Sequence, residues 1–209
     1  SYVRIVDDHT KIISIKKNDV EIYSQEVEKK IVVDKTLLTI ENIVEFANTL
    51  NIDDVAPTLN RQVEYNLAIA TEGINNNYGA NIGKIYLSAG APTPERKAKA
   101  YAAAGSDARM NGCEMPVIIN SGSGNQGLTC SVPVIVYAKE NNRSNEDMLR
   151  ALAVSNLVTI RLKTGIGTLS AYCGVVSAGA GAVAGISYLE GKSYEEIAHV
   201  IINCLAIDS

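Results

Sequence analysis

Residues 164–189 contain no charged side chain, and this stretch most constrains what the chain can fold into. It reads TGIGTLSAYCGVVSAGAGAVAGISYL, and its length would suffice for a membrane-spanning helix. Gly, Ser and Ala dominate it, however, and neither an aromatic belt nor a basic cluster flanks it, which disfavours insertion into a bilayer. The stretch therefore predicts a buried helix of a soluble protein.

The composition points to a core that is packed largely by small residues. Of the 209 residues, 46% are hydrophobic, which is enough for a core, but there is one Phe and no Trp. A net charge of -4 without any basic block argues against a nucleic-acid partner or an anionic membrane surface. The expected partner is instead a small molecule.

The cysteine usage indicates a reducing compartment. The four cysteines are widely and irregularly spaced, and no CxxC pair is present, which excludes a self-contained zinc ribbon. The first residues do not read as a signal peptide, so a cytoplasmic setting is expected. Taken singly, each cysteine is expected to be a small buried hydrophobe. They are Cys113, Cys130, Cys173 and Cys204.

The N-terminal residues alternate between apolar and polar side chains, as strands do. SYVRIV, KIISIK and VEIYS, separated by the turns DDHT and KND, predict antiparallel strands within residues 1–24. KIVVDKTLL predicts a further strand over residues 30–38. NNNYGANIGK, after the first helices, reads as an exposed turn region.

Helical periodicity dominates the rest of the chain. TIENIVEFANTLN predicts a helix that Thr39 caps, and DDVAPTLNRQVEYNLAIATEGI predicts a second helix. PTPERKAKAYAAAGSDARMNG and NEDMLRALAVSNLVTIRLK predict later helices, the latter capped by Asn145. A last helix, SYEEIAHVIINCLAIDS, should begin with a capping box of Ser193 and Glu196.

These elements predict an α+β fold with two domains. Residues 1–92 are expected to form an α+β domain with a small antiparallel sheet and helices. Residues 93–209 are expected to form an all-helical domain with buried Gly/Ala-rich helices. Both ends interrupt apolar patterns, so the chain is expected to be a fragment of a longer protein.

The uncharged stretch NSGSGNQG, residues 120–127, is the strongest functional signal, and two interpretations stay open. Its glycines and serines, followed by a helix, would suit a small anion such as a carboxylate. They would equally suit a close helix crossing. A nucleotide is disfavoured because the GK[ST] ending and the Rossmann acidic residue are absent. The candidate carboxylate-binding residues are Asn120, Ser121, Gly122, Ser123, Gly124, Asn125 and Gln126.

Other polar residues give weaker signals. Asp107 and Arg109 in GSDARMNG would support a site or form a local ion pair at a helix end. His9 in DDHT is a weak candidate for a catalytic base, and a polar turn is the alternative. Cys173 in LSAYCGVV has no charge nearby, which on its own favours a buried, unreactive thiol.

Three motifs, AAAGSDARMNG, MPVIINSGSGNQGLTCSVPVIVYA and LSAYCGVVSAGAGAVAGI, occur in an order that resembles the L-cysteine desulfidase family. That family is related to the alpha chain of iron–sulfur L-serine dehydratases. The resemblance extends from DDHTKI to SYEEIAHVIINCLA, so it covers nearly the whole chain. No single motif would be specific enough alone.

The resemblance implies a lyase that uses a [4Fe-4S] cluster held by three cysteines, with one iron open to the substrate. α,β-Elimination of L-cysteine would yield pyruvate, ammonia and sulfide. Cys173 matches the first cluster ligand, and the SGSGNQG loop matches the site of the substrate carboxylate. The family's other ligands are expected beyond Ser209, so this chain alone is expected to hold no cluster and to show no turnover.

Two alternatives to a cysteine desulfidase remain. One is an L-serine dehydratase, and the other is a non-catalytic module that binds a small carboxylate. A homodimer is a further expectation, and the catalytic base is expected to lie outside this chain.

Overall fold

A computed structural model describes residues 1–6, 11–26, 33–167 and 173–207. The chain divides into two compact units, Ser1–Asp34 and Lys35–Ser209. The first contains an antiparallel sheet and the second is helical, which confirms the predicted α+β class. The domain boundary expected between residues 92 and 93 falls in a loop of the second unit and stays a prediction.

The sheet has three strands, β1 (Tyr2–Ile5), β2 (Ile12–Lys17) and β3 (Val20–Ser24), paired antiparallel in that order. Asn18 and Asp19, both with positive φ, form the two-residue turn between β2 and β3. These strands confirm the alternation pattern. His9 lies outside the described residues.

The strand expected over residues 30–38 is wrong. Residues 33 and 34 are not in a strand, and Lys35–Leu37 form a short 3₁₀ helix, while residues 30–32 lie outside the described residues. The apolar residues do not alternate with polar ones through this segment, because Asp34, Lys35 and Thr36 are three consecutive polar residues. The segment leads into the first helix instead.

Eight α-helices are present in the described part of the second unit. They are α1 (Ile40–Thr49), α2 (Ile52–Asn75), α3 (Ile82–Ser88), α4 (Pro94–Met110), α5 (Gly124–Glu140), α6 (Asn145–Ile166), α7 (Gly174–Leu189) and α8 (Tyr194–Ile207).

The observed helix caps match the predicted capping residues in two of three cases. Thr39 accepts a hydrogen bond from the Asn42 N–H, as expected for the cap of α1. Ser193 and Glu196 form the reciprocal bonds of a capping box at α8. The cap of α6, however, is Ser144 and not Asn145, because the Ser144 hydroxyl accepts from the Asp147 N–H.

Residues 76–81 lie outside the helices, as the predicted turn region requires, and helix α3 takes up only the last three residues of that region, 82–84. Its cap residue Asn81 makes no side-chain capping bond, and its φ of 54° lies in the left-handed region. Instead, the Asp107 carboxylate on α4 accepts a hydrogen bond of 2.9 Å from the Ile82 N–H. A cap that comes from a residue distant in the chain leaves no local sequence signal.

The uncharged stretch forms the last turn of α6 and then α7, whose helical residues are largely buried. The buried helix predicted over residues 164–189 is thus confirmed for Gly174–Leu189. It is not one continuous helix, because α6 ends at Ile166 and Gly167 is not helical, while residues 168–172 lie outside the described residues. Gly181 of α7 lies against α6, where a Cβ atom would overlap the Thr159 hydroxyl and lie 2.6 Å from the Ser155 carbonyl oxygen. Among the described residues, no helix combines the length and the apolar character that crossing a membrane requires.

Two glycines on α7 test whether this close crossing stabilises the fold. We expect Gly181→Ala to lower the free energy of unfolding by about 1–3 kcal/mol, because the added methyl group overpacks a rigid contact. Chemical denaturation of the purified protein measures the change.

Gly179→Ala is the matched control, because a Cβ atom at Gly179 meets no atom within 4 Å. It should raise the free energy of unfolding by roughly 0.5–1 kcal/mol through helix propensity. Equal effects of the two substitutions would contradict the packing argument.

Candidate functional site

The stretch NSGSGNQG begins as a tight reverse turn and continues as α5. Asn120 and Ser123 pair through two backbone hydrogen bonds of 3.1 and 3.0 Å. Ser121 and Gly122 form the turn between them, with φ values of 50° and 83°. Ser123 then caps α5, because its hydroxyl accepts a hydrogen bond from the Gln126 N–H.

This arrangement leaves a run of unused donors at the start of α5. The N–H groups of Ser121, Gly122, Gly124 and Asn125 make no hydrogen bond to any described residue. The N-terminus of a helix carries partial positive charge, and its free N–H groups favour a bound anion. Anion binding at these residues stays a prediction.

The glycines of the stretch serve different purposes. A Cβ atom at Gly127 would overlap the Ile118 carbonyl oxygen, so the absence of a side chain lets α5 approach that segment closely. A Cβ atom at Gly124 would overlap the Arg109 guanidinium group. Close packing therefore explains Gly127, whereas Gly124 makes room for a cation.

Arg109 and Asp107 face different elements. The exposed Arg109 side chain lies across Gly124 and donates a hydrogen bond of 3.1 Å to the Asn125 side chain. Asp107 caps α3, as described above, and no ion pair joins these two residues in the described part of the chain. Arg109 thus places a positive charge beside the free N–H groups of α5.

Asn66 on α2 holds the base of the site together. Its side-chain oxygen accepts a hydrogen bond of 2.7 Å from the Ile118 N–H. Its side-chain nitrogen donates to the carbonyl oxygens of Ile118 and Gly127 and to the Ser131 hydroxyl. Asn66 is fully buried, so these bonds join α2, the segment before the turn and α5 without competition from water.

A second buried amide network holds the turn itself. The Asn120 side chain donates to the Asn156 side-chain oxygen at 2.9 Å, and the Ser121 hydroxyl donates to the Asn120 side chain. Asn156 and Gln62 exchange two further hydrogen bonds. The network thus links α2, α6 and the turn.

Sequence reasoning missed these supporting residues. Gln62 and Asn66 are one helical turn apart and interrupt the apolar face of α2, which is the signal that would have found them. Asn156 interrupts the buried face of α6 in the same way, between Ser155 and Leu157.

Cys173 is the residue just before α7 and is exposed, so the expectation of a buried thiol at this position is wrong. A Cβ atom at the next residue, Gly174, would overlap the side-chain amide of Gln126. The start of α7 is therefore packed against the first turn of α5, which places Cys173 next to the predicted anion site. Gln126 is 7% exposed, and its side-chain oxygen has no partner among the described residues.

The described residues do not form a complete metal site. Cys130 is buried, and burial raises the pKa of its thiol to about 12, so it is a packing residue as expected. Within the described ranges, no group of three His, Cys, Asp or Glu side chains lies close enough to hold a metal ion. Cys173 could supply one thiolate, whereas an iron–sulfur cluster needs several.

The chain is similar to known proteins over nearly its whole length. The family model described as serine dehydratase alpha chain matches residues 13–207. A UPF0597 protein of Desulfitobacterium hafniense is 54% identical, with 100% of this chain and 50% of the relative aligned. A second one, from Lachnoclostridium phytofermentans, is 51% identical over 99% of this chain and 50% of its own length.

The chain spans about half the length of these relatives. A UPF0597 protein of Treponema denticola, 46% identical, likewise has 49% of its length aligned. No solved structure gives a significant match.

Asn66→Ala tests whether the buried amide supports the site. We expect it to lower the free energy of unfolding by about 2–4 kcal/mol, because several backbone groups at residues 118 and 127 lose their partner. Chemical denaturation measures this.

Asn60→Ala is the control, since Asn60 lies on the same helix but is exposed. It should change the free energy of unfolding by less than about 0.7 kcal/mol, the range of helix propensities. If Asn66→Ala costs no more than this control, the amide does not support the site.

Proposed function

The chain belongs to the serine dehydratase alpha chain family, and from this premise we propose that it supplies the substrate-carboxylate site of an amino-acid lyase. The proposed reaction of the full-length protein is α,β-elimination of L-cysteine to pyruvate, ammonia and sulfide. L-Serine is the alternative substrate, and it would lose water instead of sulfide.

The observation that supports this proposal most is the run of free N–H groups at the start of α5, beside Arg109. An amino-acid carboxylate carries one negative charge and two acceptor oxygens. The N–H groups of Gly124 and Asn125 and the Arg109 guanidinium would bind it together. Because buried amides hold the turn rigid, the donors need little rearrangement to bind the carboxylate.

Cys173 completes the proposed site. Its neighbour Gly174 contacts Gln126 at the first turn of α5, and this position suits a group that acts on the end of the substrate opposite its carboxylate. In the full-length protein we propose that Cys173 is one ligand of a [4Fe-4S] cluster, with the other ligands outside this chain. Bound to the protein, such a cluster would serve as a Lewis acid for the leaving group.

One second function is a non-catalytic module that binds a small carboxylate. The same donors at α5 would serve it, and it would differ from the lyase in lacking turnover.

Arg109→Gln tests the carboxylate site in the full-length protein. Under anaerobic conditions we expect the unmodified protein to release pyruvate and sulfide from L-cysteine. The substitution should lower kcat/KM roughly 10- to 100-fold, because a hydrogen bond to a charged group contributes about 1.5–3 kcal/mol.

Arg61→Gln, which removes an exposed arginine on α2, is the matched control and should leave kcat/KM unchanged. L-Serine is assayed in parallel. Release of pyruvate from L-serine but not from L-cysteine would identify the protein as an L-serine dehydratase. Absence of turnover with both amino acids, in the presence of binding, would favour the non-catalytic module.

The cluster ligands are tested with residues 1–209 alone. After anaerobic reconstitution with iron and sulfide, we expect no stoichiometric cluster and no turnover, since Cys173 is a single thiolate. Iron and acid-labile sulfide analysis provides the measurement, and a cluster with stoichiometric iron would overturn the proposed ligand assignment.

A further inference from the structure

A cavity of about 270 Å³ lies beside the turn at Ser121, next to the last turn of α6. Its lining contains two lysines and, among the described residues, no acidic side chain. The lining residues are Lys35, Ser121, Ile160, Lys163, Thr164 and Gly167.

Lys163 is the unusual member of this lining. It is only 9% exposed, yet within the described part of the chain it makes no ion pair and its ammonium group donates no hydrogen bond. Its ammonium nitrogen keeps contact with solvent at the cavity, where an anion could replace water. The C-terminal end of α6 neutralises this charge only in part, because a helix end carries about half a charge.

Arg150, on the same helix, shows how this fold treats a half-buried cation elsewhere. Its guanidinium donates to the Glu146 carboxylate and to the carbonyl oxygens of Ala47 and Asn48. Other buried polar side chains, such as Asn66 and Thr159, are likewise hydrogen-bonded. Lys163 differs from these residues because its ammonium group faces a cavity and not a hydrogen-bond acceptor of the protein.

We propose that this cavity binds a small oxyanion, whose charge is neutralised by Lys163. The exposed Lys35 lies at its rim and adds a second positive charge. The Ser121 and Thr164 hydroxyl groups already donate to Asn120 and Ile160, so the ammonium groups are the available side-chain donors. A carboxylate or a phosphate group supplies the required chemistry.

This cavity adjoins the proposed substrate-carboxylate site at Ser121 but does not contain the donors proposed to bind the carboxylate. Neither Gly124, Asn125 nor Arg109 lines the cavity, and Ser121 is the residue through which the turn contacts it. The inference therefore goes beyond the proposed lyase activity, and binding at Lys163 can be measured whether or not the protein turns over an amino acid.

Calorimetric titration of the full-length protein with sodium acetate and, separately, inorganic phosphate tests the proposal at constant ionic strength. We expect at least one of the two anions to bind. Lys163→Met should weaken that binding at least about tenfold, equivalent to about 1.4 kcal/mol. Arg161→Met, which removes an exposed cation two residues away, should leave the affinity unchanged.

The two anions identify the source of the oxyanion: acetate alone indicates a carboxylate ligand, and phosphate alone indicates a phosphate ligand. Lys163→Met nearly keeps the length of the side chain and removes its charge, so the rest of the cavity lining is preserved. Lys163→Gln replaces it if the Met variant does not fold. The proposal is overturned if neither anion binds, or if the neutral variant binds as tightly as the unmodified protein.

Discussion

The hydrogen bonds of Asn66 are the constraint on which the site depends. This one buried side chain joins α2 to both sides of a crossing, at residues 118 and 127. The crossing is possible only because Gly127 has no side chain to meet the Ile118 carbonyl oxygen. As a result, the turn that follows residue 118 is fixed relative to α5, and the free N–H groups at Gly124 and Asn125 have a fixed direction.

Helices lie in close contact throughout the second unit, and small residues form these contacts where many proteins use aromatic side chains. Gly73 on α2 lies against the Ala104 carbonyl of α4, and Gly181 on α7 lies against α6. Small side chains let helix backbones approach one another, and good packing at short range then supplies dispersion energy. The same tight packing brings the start of α7, with Cys173, against the first turn of α5.

Local sequence patterns predicted the elements whose causes are local. Alternation predicted β1 to β3, and capping residues such as Thr39 and Ser193 predicted where helices begin. What the patterns missed depends on residues far apart in the chain: α3 takes its cap from Asp107. The roles of Asn66 and Lys163 likewise depend on tertiary structure. Folding places Asn66 beside the segment at Ile118 and places Lys163 at the wall of a cavity.

The start of α5 is proposed to bind the carboxylate of an amino acid. The most direct measurement is a crystal structure of the full-length protein with L-cysteine or L-serine bound under anaerobic conditions. The account predicts carboxylate oxygens within hydrogen-bond distance of the Gly124 and Asn125 N–H groups and of the Arg109 guanidinium. A carboxylate bound elsewhere, with these donors unoccupied, would contradict it.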